Sequence, residues 1–199
     1  VRATGDTLFL VDAITAAGCM PLPMDEWDID VMVAGSQKAF MIPTGLSFIA
    51  LSPRAWAAQK NTTGYKYYFD LALEKKANQK NETHFSTPTP LIQGLNLVLE
   101  QMEKVGIKKV AARCELLAQT TRQAGEIYRL CTYSKAPSSS VTALATPIDS
   151  AKLRDWIEKE RNITIMGGQD QLKGKVIRIG HMGDVRDDDM VALFEAIAD

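Results

Sequence analysis

The chain has 199 residues with 46% apolar content, and its 23 basic and 24 acidic side chains leave a formal charge of −1. This content suffices for one large or two small packed domains. Because the charge is balanced, the composition does not indicate binding to nucleic acid or to an acidic membrane surface. Cys19, Cys114 and Cys131 show no CxxC spacing, so we expect free thiols in a reducing compartment. No apolar run approaches the roughly 18 residues of a membrane helix, which predicts a soluble, cytoplasmic protein.

The first half of the chain predicts strands followed by a helix. Residues Ser52–Lys60 predict a helix with Ser52 as its N-cap and Pro53 at its first position. Before this helix, continuous apolar runs predict strands that are buried in a sheet covered on both faces. These strands are Thr7–Val11, Asp30–Ala34 and Leu46–Leu51. Three strands with little helix between them make a poor sheet, so we expect neighbouring strands from a longer protein.

The second half predicts two helices and then an α+β unit. Apolar residues at helical spacing between Leu91 and Thr121 predict one helix, a break at Gly106 and a second helix. The rest of the chain predicts the order β-β-α-β-β-α, which is typical of a small α+β domain. The predicted strands are residues 127–132, 140–146, 163–168 and 175–180, and the predicted helices are Ser150–Glu160 and Asp187–Ala198.

A carboxylate and an amine follow two of the predicted strands at what we expect to be the same sheet edge. Asp12 ends the run LFLVD, and Lys38 follows the second strand within a turn of small residues. Ligands of α/β sheets bind at the carboxyl ends of strands. The two side chains can form a simple ion pair, or Asp12 can cap a helix. Alternatively, the amine forms a Schiff base with an aldehyde cofactor, and the aspartate holds the cofactor's protonated pyridine nitrogen.

Arg178 is a candidate binder of an anion. It lies between Ile177 and Ile179 in an apolar strand, on the opposite face. The guanidinium group suits a carboxylate because it donates two parallel hydrogen bonds. An exposed arginine on a half-solvated strand explains the pattern equally simply. The preceding Gly167 and Gly168 allow close backbone approach and favour the binding of an amino-acid carboxylate.

Three segments together resemble the class V pyridoxal-phosphate aminotransferases, in particular the alanine–glyoxylate and serine–glyoxylate (serine–pyruvate) branch. They are VDAITAAG at 11–18, AGSQKAFMIPTGLSFIALS at 34–52 and ITIMGGQDQLKGKVIRIGHMG at 163–183. The resemblance covers essentially all 199 residues. It implies an α/β fold of type I, with residues 1–98 as the C-terminal part of a large cofactor-binding domain built on a mostly parallel sheet. Residues 99–199 form a small C-terminal α+β domain.

The resemblance also implies roles for individual residues. Lys38, in the GSQKA segment, forms the Schiff base with pyridoxal 5'-phosphate and moves the substrate proton during transamination. Asp12 binds the pyridine nitrogen, and Gln37 contacts the cofactor. Arg178 binds the carboxylate of an amino-acid or 2-oxo-acid substrate. Glutamine before the lysine argues against a cysteine desulfurase, where histidine is usual.

The family further implies a homodimer in which hydroxyl groups of one subunit reach the cofactor phosphate of the other. The corresponding segment resembles NETHFSTPTP, so Thr83, Ser86 and Thr87 are the candidates. No tyrosine occupies the position where some relatives have one. The same segment resembles cyanobacterial proteins known as the small, tritium-exchange, subunit of a soluble hydrogenase. The alternative hypothesis is therefore a non-catalytic subunit or interaction module with an aminotransferase fold.

Two further expectations concern what the chain lacks. In the family, the glycine-rich phosphate loop and the aromatic residue that stacks on the pyridine ring precede the first residue of this chain. We therefore expect a fragment that needs the N-terminal segment of the same protein and is inactive alone. His84 and His181 are far apart in sequence, so we expect no metal site.

Overall fold

The computed structural model describes residue 3 and residues 5–199, and within them it forms two separate sheets. The first sheet has the order β1-β2-β3, with β1 parallel to β2 and β3 antiparallel to β2. Its strands are β1 (Leu10–Asp12), β2 (Val31–Gly35) and β3 (Ser47–Leu51). Because β1 and β2 are parallel, their carboxyl ends lie at one edge of the sheet.

The buried carboxylate of Asp30 fixes this sheet to the helix that follows it. The Phe9 backbone N–H donates to Asp30 Oδ2 at 2.8 Å, and the Ser52 hydroxyl donates to Asp30 Oδ1 at 3.0 Å. Arg54 Nη1 lies 3.5 Å from Asp30 Oδ2. Ser52 also caps helix α1 (Pro53–Lys60), which confirms the predicted N-cap. One carboxylate therefore joins the start of β1, the start of β2 and α1.

The next elements are three helices. They are α2 (Leu71–Asn78), α3 (Thr89–Val105) and α4 (Ile107–Ile127). The break between α3 and α4 is at Gly106, as predicted, where the backbone has a φ of +91° that favours glycine. No helix among the described residues has both the length and the apolar character needed to cross a membrane.

The second sheet is antiparallel throughout and has the order β4-β5-β7-β6. The observed order of elements confirms the predicted β-β-α-β-β-α pattern. The strands are β4 (Cys131–Thr132), β5 (Val141–Ala145), β6 (Met166–Gly167) and β7 (Val176–Gly180), and the helices are α5 (Ser150–Arg161) and α6 (Asp187–Ala198).

A hydrophobic core lies between this sheet and helices α4, α5 and α6. Its members from different elements include Leu117, Leu144, Ile157, Ile177 and Phe194. Ile177 and Ile179 are buried in the core, whereas Arg178 between them is only half-buried. The alternation places Arg178 on the other face of β7, as the sequence predicts.

Some strand boundaries differ from the predictions. Strand β1 begins at Leu10 and ends at Asp12, whereas the prediction was Thr7–Val11. Residues 127–130 do not form a strand, because α4 continues to Ile127 and the Leu130 N–H bonds to the Gly125 carbonyl at 2.7 Å. The predicted strand 163–168 is reduced to β6.

Candidate active site

Lys38 lies in a loop, residues 36–46, that is closed at its base by Ser36. The Ser36 N–H donates to the Leu46 carbonyl at 3.1 Å, and the Leu46 N–H donates to Ser36 Oγ at 3.2 Å. The Ser36 hydroxyl donates to the Pro43 carbonyl at 2.8 Å. Because Ser36 is completely buried, these bonds hold the lysine loop in place at the end of β2.

The amine of Lys38 has no partner of its own in this loop. Its side chain is half-buried, and its backbone carbonyl accepts a hydrogen bond from the Met41 N–H at 3.0 Å. Within residues 3 and 5–199, no carboxylate forms an ion pair with the amine. The neighbouring Gln37 is exposed and turns back over Gly35, where an added Cβ atom would lie 2.9 Å from Gln37 Oε1. The lysine is therefore positioned by its backbone and not by a counter-ion.

Asp12 is the last residue of β1 and lies opposite Val33 of β2 in the parallel register. Its Oδ1 accepts a hydrogen bond from the Ile14 N–H at 2.9 Å, so it caps the backbone turn that begins at Ala13. Among the described residues, Asp12 Oδ2 has no bonding partner. The structure thus gives Asp12 a local capping role, and the described residues show no Asp12–Lys38 ion pair.

Three segments from different parts of the chain contact the lysine loop: the segment after Asp12, helix α4 and the loop after β7. An added Cβ at Gly18, in the segment after Asp12, would lie 2.8 Å from the Ala39 Cβ. Similarly, a Cβ at Gly183 would lie 3.3 Å from Met41 Cγ. Met182 packs on the small buried cluster formed by Cys19, Ala39 and Cys114. The loop that follows β7 therefore touches the loop that carries Lys38.

Arg178 lies on β7, two residues before the carboxyl end of that strand. Its Nε–H donates to the Gly167 carbonyl on β6 at 2.7 Å. Arg154 supports the same segment, because its Nε–H donates to the Ile165 carbonyl at 2.7 Å. In the described part of the chain, no carboxylate pairs with Arg178. Its guanidinium group therefore keeps donors for an outside anion, although the structure records no contact between Arg178 and Lys38.

A cleft of about 230 Å³ adjoins the lysine loop. Its lining includes Gly18, Ala39, Met41, Cys114 and His181. A larger groove of about 530 Å³ lies between α1 and α2. None of the predicted site residues lines either cavity, but Ala39, the residue after Lys38, lines the smaller one. The smaller cleft is therefore the one that adjoins the lysine loop.

The hydroxyl groups predicted to contact a phosphate lie in a separate segment between α2 and α3. Thr83 and Ser86 are exposed and Thr87 is half-buried, and Thr83 Oγ1 donates to the Phe85 carbonyl at 2.7 Å. Within the described residues, no hydrogen bond joins this segment to Lys38. An exposed aromatic patch adjoins it through Phe85, whose ring centroid lies 4.9 Å from that of Tyr68.

His181 lines the cleft and is buried. Its Nε2 and Thr142 Oγ1 share a hydrogen bond of 2.9 Å. Burial, followed by the charge of Arg122, lowers the pKa of His181 to about 4, although Glu115 acts in the opposite direction. His84 is elsewhere, with its ring 4.4 Å from that of Phe85. No cluster of three metal-ligating side chains occurs in the described parts of the chain.

Two residues that shape the site were not predicted from the sequence. Ser36 has a local signal that could have identified it, because a small polar residue at a strand end, here between Gly35 and Gln37, indicates a turn. Gly18 gives no such local signal, because its close approach to Ala39 arises only from tertiary packing.

Comparison with known proteins identifies the family. The model of the aminotransferase class-V family matches residues 1–183. The chain is 40% identical to a soluble hydrogenase small subunit from Synechococcus sp. over 99% of this chain and 52% of that protein. It is 35% identical to a serine–glyoxylate aminotransferase from Methylorubrum extorquens, with 96% of this chain and 49% of that protein covered.

Solved structures agree with this assignment. The structure of an alanine–glyoxylate aminotransferase from Nostoc sp. matches with a TM-score of 0.92 and 26% identity. The match covers 98% of this chain and 54% of that one. The chain spans about half the length of the curated relatives it matches. It belongs to the class V aminotransferase family, with an α/β fold of the pyridoxal-phosphate aminotransferase type.

Proposed function

We propose that this chain supplies the reactive lysine and the substrate-binding arginine of an aminotransferase that depends on pyridoxal 5'-phosphate. The reaction transfers an amino group from an amino acid to a 2-oxo acid such as glyoxylate. One observation carries the proposal. Lys38 is half-buried in a loop held by Ser36, at the sheet edge where Asp12 ends a parallel strand, and its amine has no acidic partner among the described residues.

The residues present fit the proposed cofactor. An aldehyde needs an amine that no carboxylate holds, which is the state of Lys38 in the described chain. A protonated pyridine nitrogen needs an anionic acceptor, and Asp12 has one oxygen that its capping bond with Ile14 leaves available. Gln37 adjoins the lysine and is exposed. When bound, pyridoxal phosphate supplies an electron sink for the carbanion that forms on the substrate.

The chain's own side chains then have distinct tasks. Arg178 binds and orients the substrate carboxylate through the donors that its bond to Gly167 leaves available. The amine of Lys38 would act as the general base that takes the proton from the substrate α-carbon, and it would hold that proton until it acts as the general acid. Asp12 would hold the pyridine nitrogen in place through the oxygen that its bond with Ile14 leaves available. The braced Ser36 keeps the lysine loop in one position through these steps.

The remaining expectations are part of the same proposal. Residues 1–98 complete a large cofactor-binding domain, and residues 99–199 form the small domain. The protein acts in the cytoplasm as a homodimer in which Thr83, Ser86 or Thr87 of one subunit reaches the cofactor phosphate of the other. The exposure of Thr83 and Ser86 supports this role, because hydroxyls that serve a partner must lie at the surface. The rest of the protein supplies the remaining phosphate-binding groups.

A second candidate function is a non-catalytic subunit with this fold. The name of the Synechococcus relative, a soluble hydrogenase small subunit, favours it. The combination of Asp12, Lys38 and Arg178 favours the enzyme, because a purely structural role requires none of them. The two candidates differ in one measurable property, since only the enzyme transfers amino groups.

The test uses the full-length protein with pyridoxal phosphate and measures glyoxylate-dependent deamination of a panel of amino acids. The change Arg178→Lys is expected to raise KM for the amino acid about tenfold to a hundredfold, since charged hydrogen bonds contribute about 1.5–3 kcal/mol. The matched control is Arg154→Lys, which removes the same kind of Nε–H bond to the same segment. We expect the control to leave KM unchanged.

Two results would overturn this proposal. One is absence of amino transfer with every amino acid in the cofactor-loaded wild-type protein, which would favour the non-catalytic subunit. The other is an equal rise in KM for both arginine variants, which would make Arg178 a structural residue. Thermal unfolding of each variant shows whether the fold is intact.

A further inference from the structure

Cys19 and Cys114 are far apart in sequence but share one buried cluster beside the lysine loop. Both are free thiols. Cys19 is 0% exposed and Cys114 is 4% exposed, and both pack against Ala39. Met182 covers the same cluster. The fold therefore brings together two thiols that the sequence gives no reason to pair.

The two thiols shift each other's pKa in opposite directions. The hydrogen bond between them raises the pKa of Cys19, and burial raises it further. The same hydrogen bond lowers the pKa of Cys114; burial opposes this effect, and the positive charge of Arg113 adds to it. The thiolate is the reactive form of cysteine. The lowered pKa favours Cys114 as the reactive thiol of the pair.

Access to the pair is also unequal. Cys114 lines the cleft of about 230 Å³, together with Arg113 and His181, whereas Cys19 does not. A small reagent that enters the cleft therefore reaches Cys114. Cys19 packs with Cys114 in the same buried cluster but does not line the cleft. This arrangement matches a reactive thiol beside a resolving thiol.

We propose that Cys19 and Cys114 form a redox-active dithiol, which a peroxide oxidises to a disulfide. The Cys114 thiolate attacks one peroxide oxygen, the O–O bond breaks, and hydroxide leaves and takes a proton to become water. Cys19 then attacks the sulfenic sulfur, the S–O bond breaks, and the Cys19 proton leaves with the hydroxide as a second water. The two thiols lose two electrons in total, and the peroxide gains them.

The cross-link would join two parts of the fold next to Lys38. Cys114 is on α4, and Cys19 follows Gly18 in the segment that begins at Asp12. Because that segment touches Ala39 of the lysine loop, the disulfide would tether α4 to the region that positions the lysine. The proposal goes beyond the proposed function and does not depend on it.

The test uses the full-length protein with the change Cys131→Ser, because Cys131 is the exposed cysteine of this chain and would otherwise compete. The reduced protein is treated with one equivalent of hydrogen peroxide, unfolded, alkylated and digested. We expect one cross-linked peptide pair that contains Cys19 and Cys114, and a loss of two hydrogen atoms in intact mass. A dithiol reductant should reverse both. This measurement requires no change in the buried cluster.

Two single variants then test the order of the steps. In Cys19→Ser, dimedone should label a sulfenic acid on Cys114, because the resolving thiol is gone. In Cys114→Ser, Cys19 should stay alkylatable after peroxide treatment. The proposal is wrong if both thiols remain reduced in the Cys131→Ser protein, or if Cys114 passes to sulfinic acid without a cross-link. Dimedone labelling of Cys19 in Cys114→Ser would show that Cys19 can react with peroxide first, which would overturn the assigned order.

Discussion

At the scale of single residues, the geometry around Lys38 depends on a buried serine. Ser36 both donates to Pro43 and accepts from Leu46, and its backbone N–H closes the same loop. A hydroxyl in a buried turn is costly unless its partners are present, so the loop has one favourable arrangement. The position of Lys38 follows from that arrangement.

The change Ser36→Ala should therefore destabilise the fold. Removal of the hydroxyl leaves the Pro43 carbonyl and the Leu46 N–H without their partner, which costs about 1–3 kcal/mol. The measurement is the free energy of unfolding in urea. The control is Ser134→Ala, where an exposed hydroxyl accepts from the Ala136 N–H. The control should change stability by less than about 0.5 kcal/mol, and equal losses in both variants would contradict the role of Ser36.

A second prediction concerns His181 and pH. Its pKa is about 4 in the folded protein because of burial, and the ordinary value is 6.5. Between these values the unfolded chain binds more protons than the folded one, so stability falls as the pH is lowered through this window. The loss from His181 between pH 7 and pH 5 is about 2 kcal/mol.

Urea unfolding of the wild type and of His181→Gln at several pH values tests this expectation. Glutamine keeps a group that can bond to Thr142 but cannot take up a proton in this range. The variant should lose less stability than the wild type on going from pH 7 to pH 5. Parallel curves for the two proteins would show that His181 does not titrate as expected, whatever Arg122 and Glu115 contribute nearby.

At the scale of elements, the short strand β6 depends on a glycine at its end. A Cβ atom at Gly168 would overlap the backbone carbonyl of Leu172, whereas one at Gly180 would meet nothing within 4 Å. Gly168 follows the last residue of β6 and Gly180 is the last residue of β7, so both lie at strand ends of the second sheet and form a matched pair. A comparison of the two positions separates the effect of the steric clash from the effect of replacing glycine with alanine.

The change Gly168→Ala is expected to destabilise the protein by about 1–3 kcal/mol, because backbone atoms must shift to admit the methyl group. Gly180→Ala should be close to neutral in the same urea unfolding measurement. Since β6 supplies the Gly167 carbonyl to Arg178, Gly168→Ala should also weaken substrate binding. Similar stability for the two variants would refute the clash at Gly168.

Element boundaries show which parts of the fold the sequence predicts. Helix α1 and the break at Gly106 were predicted correctly, because caps and glycines act on their own backbone. Residues 127–130 were predicted wrongly as strand, since Ile127, Tyr128 and Leu130 suit either a strand or the end of a helix. The Leu130 N–H bond to Gly125 decides between them, and only the folded chain shows it.

In the candidate site, too, some features were predicted from the sequence and others arise only from tertiary packing. The parallel pairing of β1 and β2 places Asp12 and the lysine loop at one edge, as the strand order predicts. Alternation along β7 places Arg178 away from the core, which was also predicted. The contacts of Gly18 with Ala39 and of Gly183 with Met41 join residues that are distant in sequence. Such contacts depend on tertiary packing, and local patterns do not encode them.

At the scale of the whole molecule, two sheets meet at the lysine loop. In the first sheet, Asp12 ends β1 and Lys38 lies in the loop after β2. The loop after β7 of the second sheet packs against Met41 and Ala39 of that lysine loop. The division at residue 98 stays a prediction, and that position lies inside α3. The predicted cover on both faces of the first sheet is incomplete within the described residues, since Leu10 is 62% exposed and Ile49 is 44% exposed.

The central claim is that Lys38 is the lysine to which the cofactor binds. The most direct test loads the full-length protein with pyridoxal phosphate, reduces it with borohydride and maps the modified lysine by mass spectrometry. We expect the cofactor mass on the peptide that contains Lys38, its loss in Lys38→Ala, and its persistence in Lys109→Ala, which changes a lysine of the adjacent cleft. A modified peptide without Lys38, or no modified peptide at all, would show that Lys38 does not bind the cofactor.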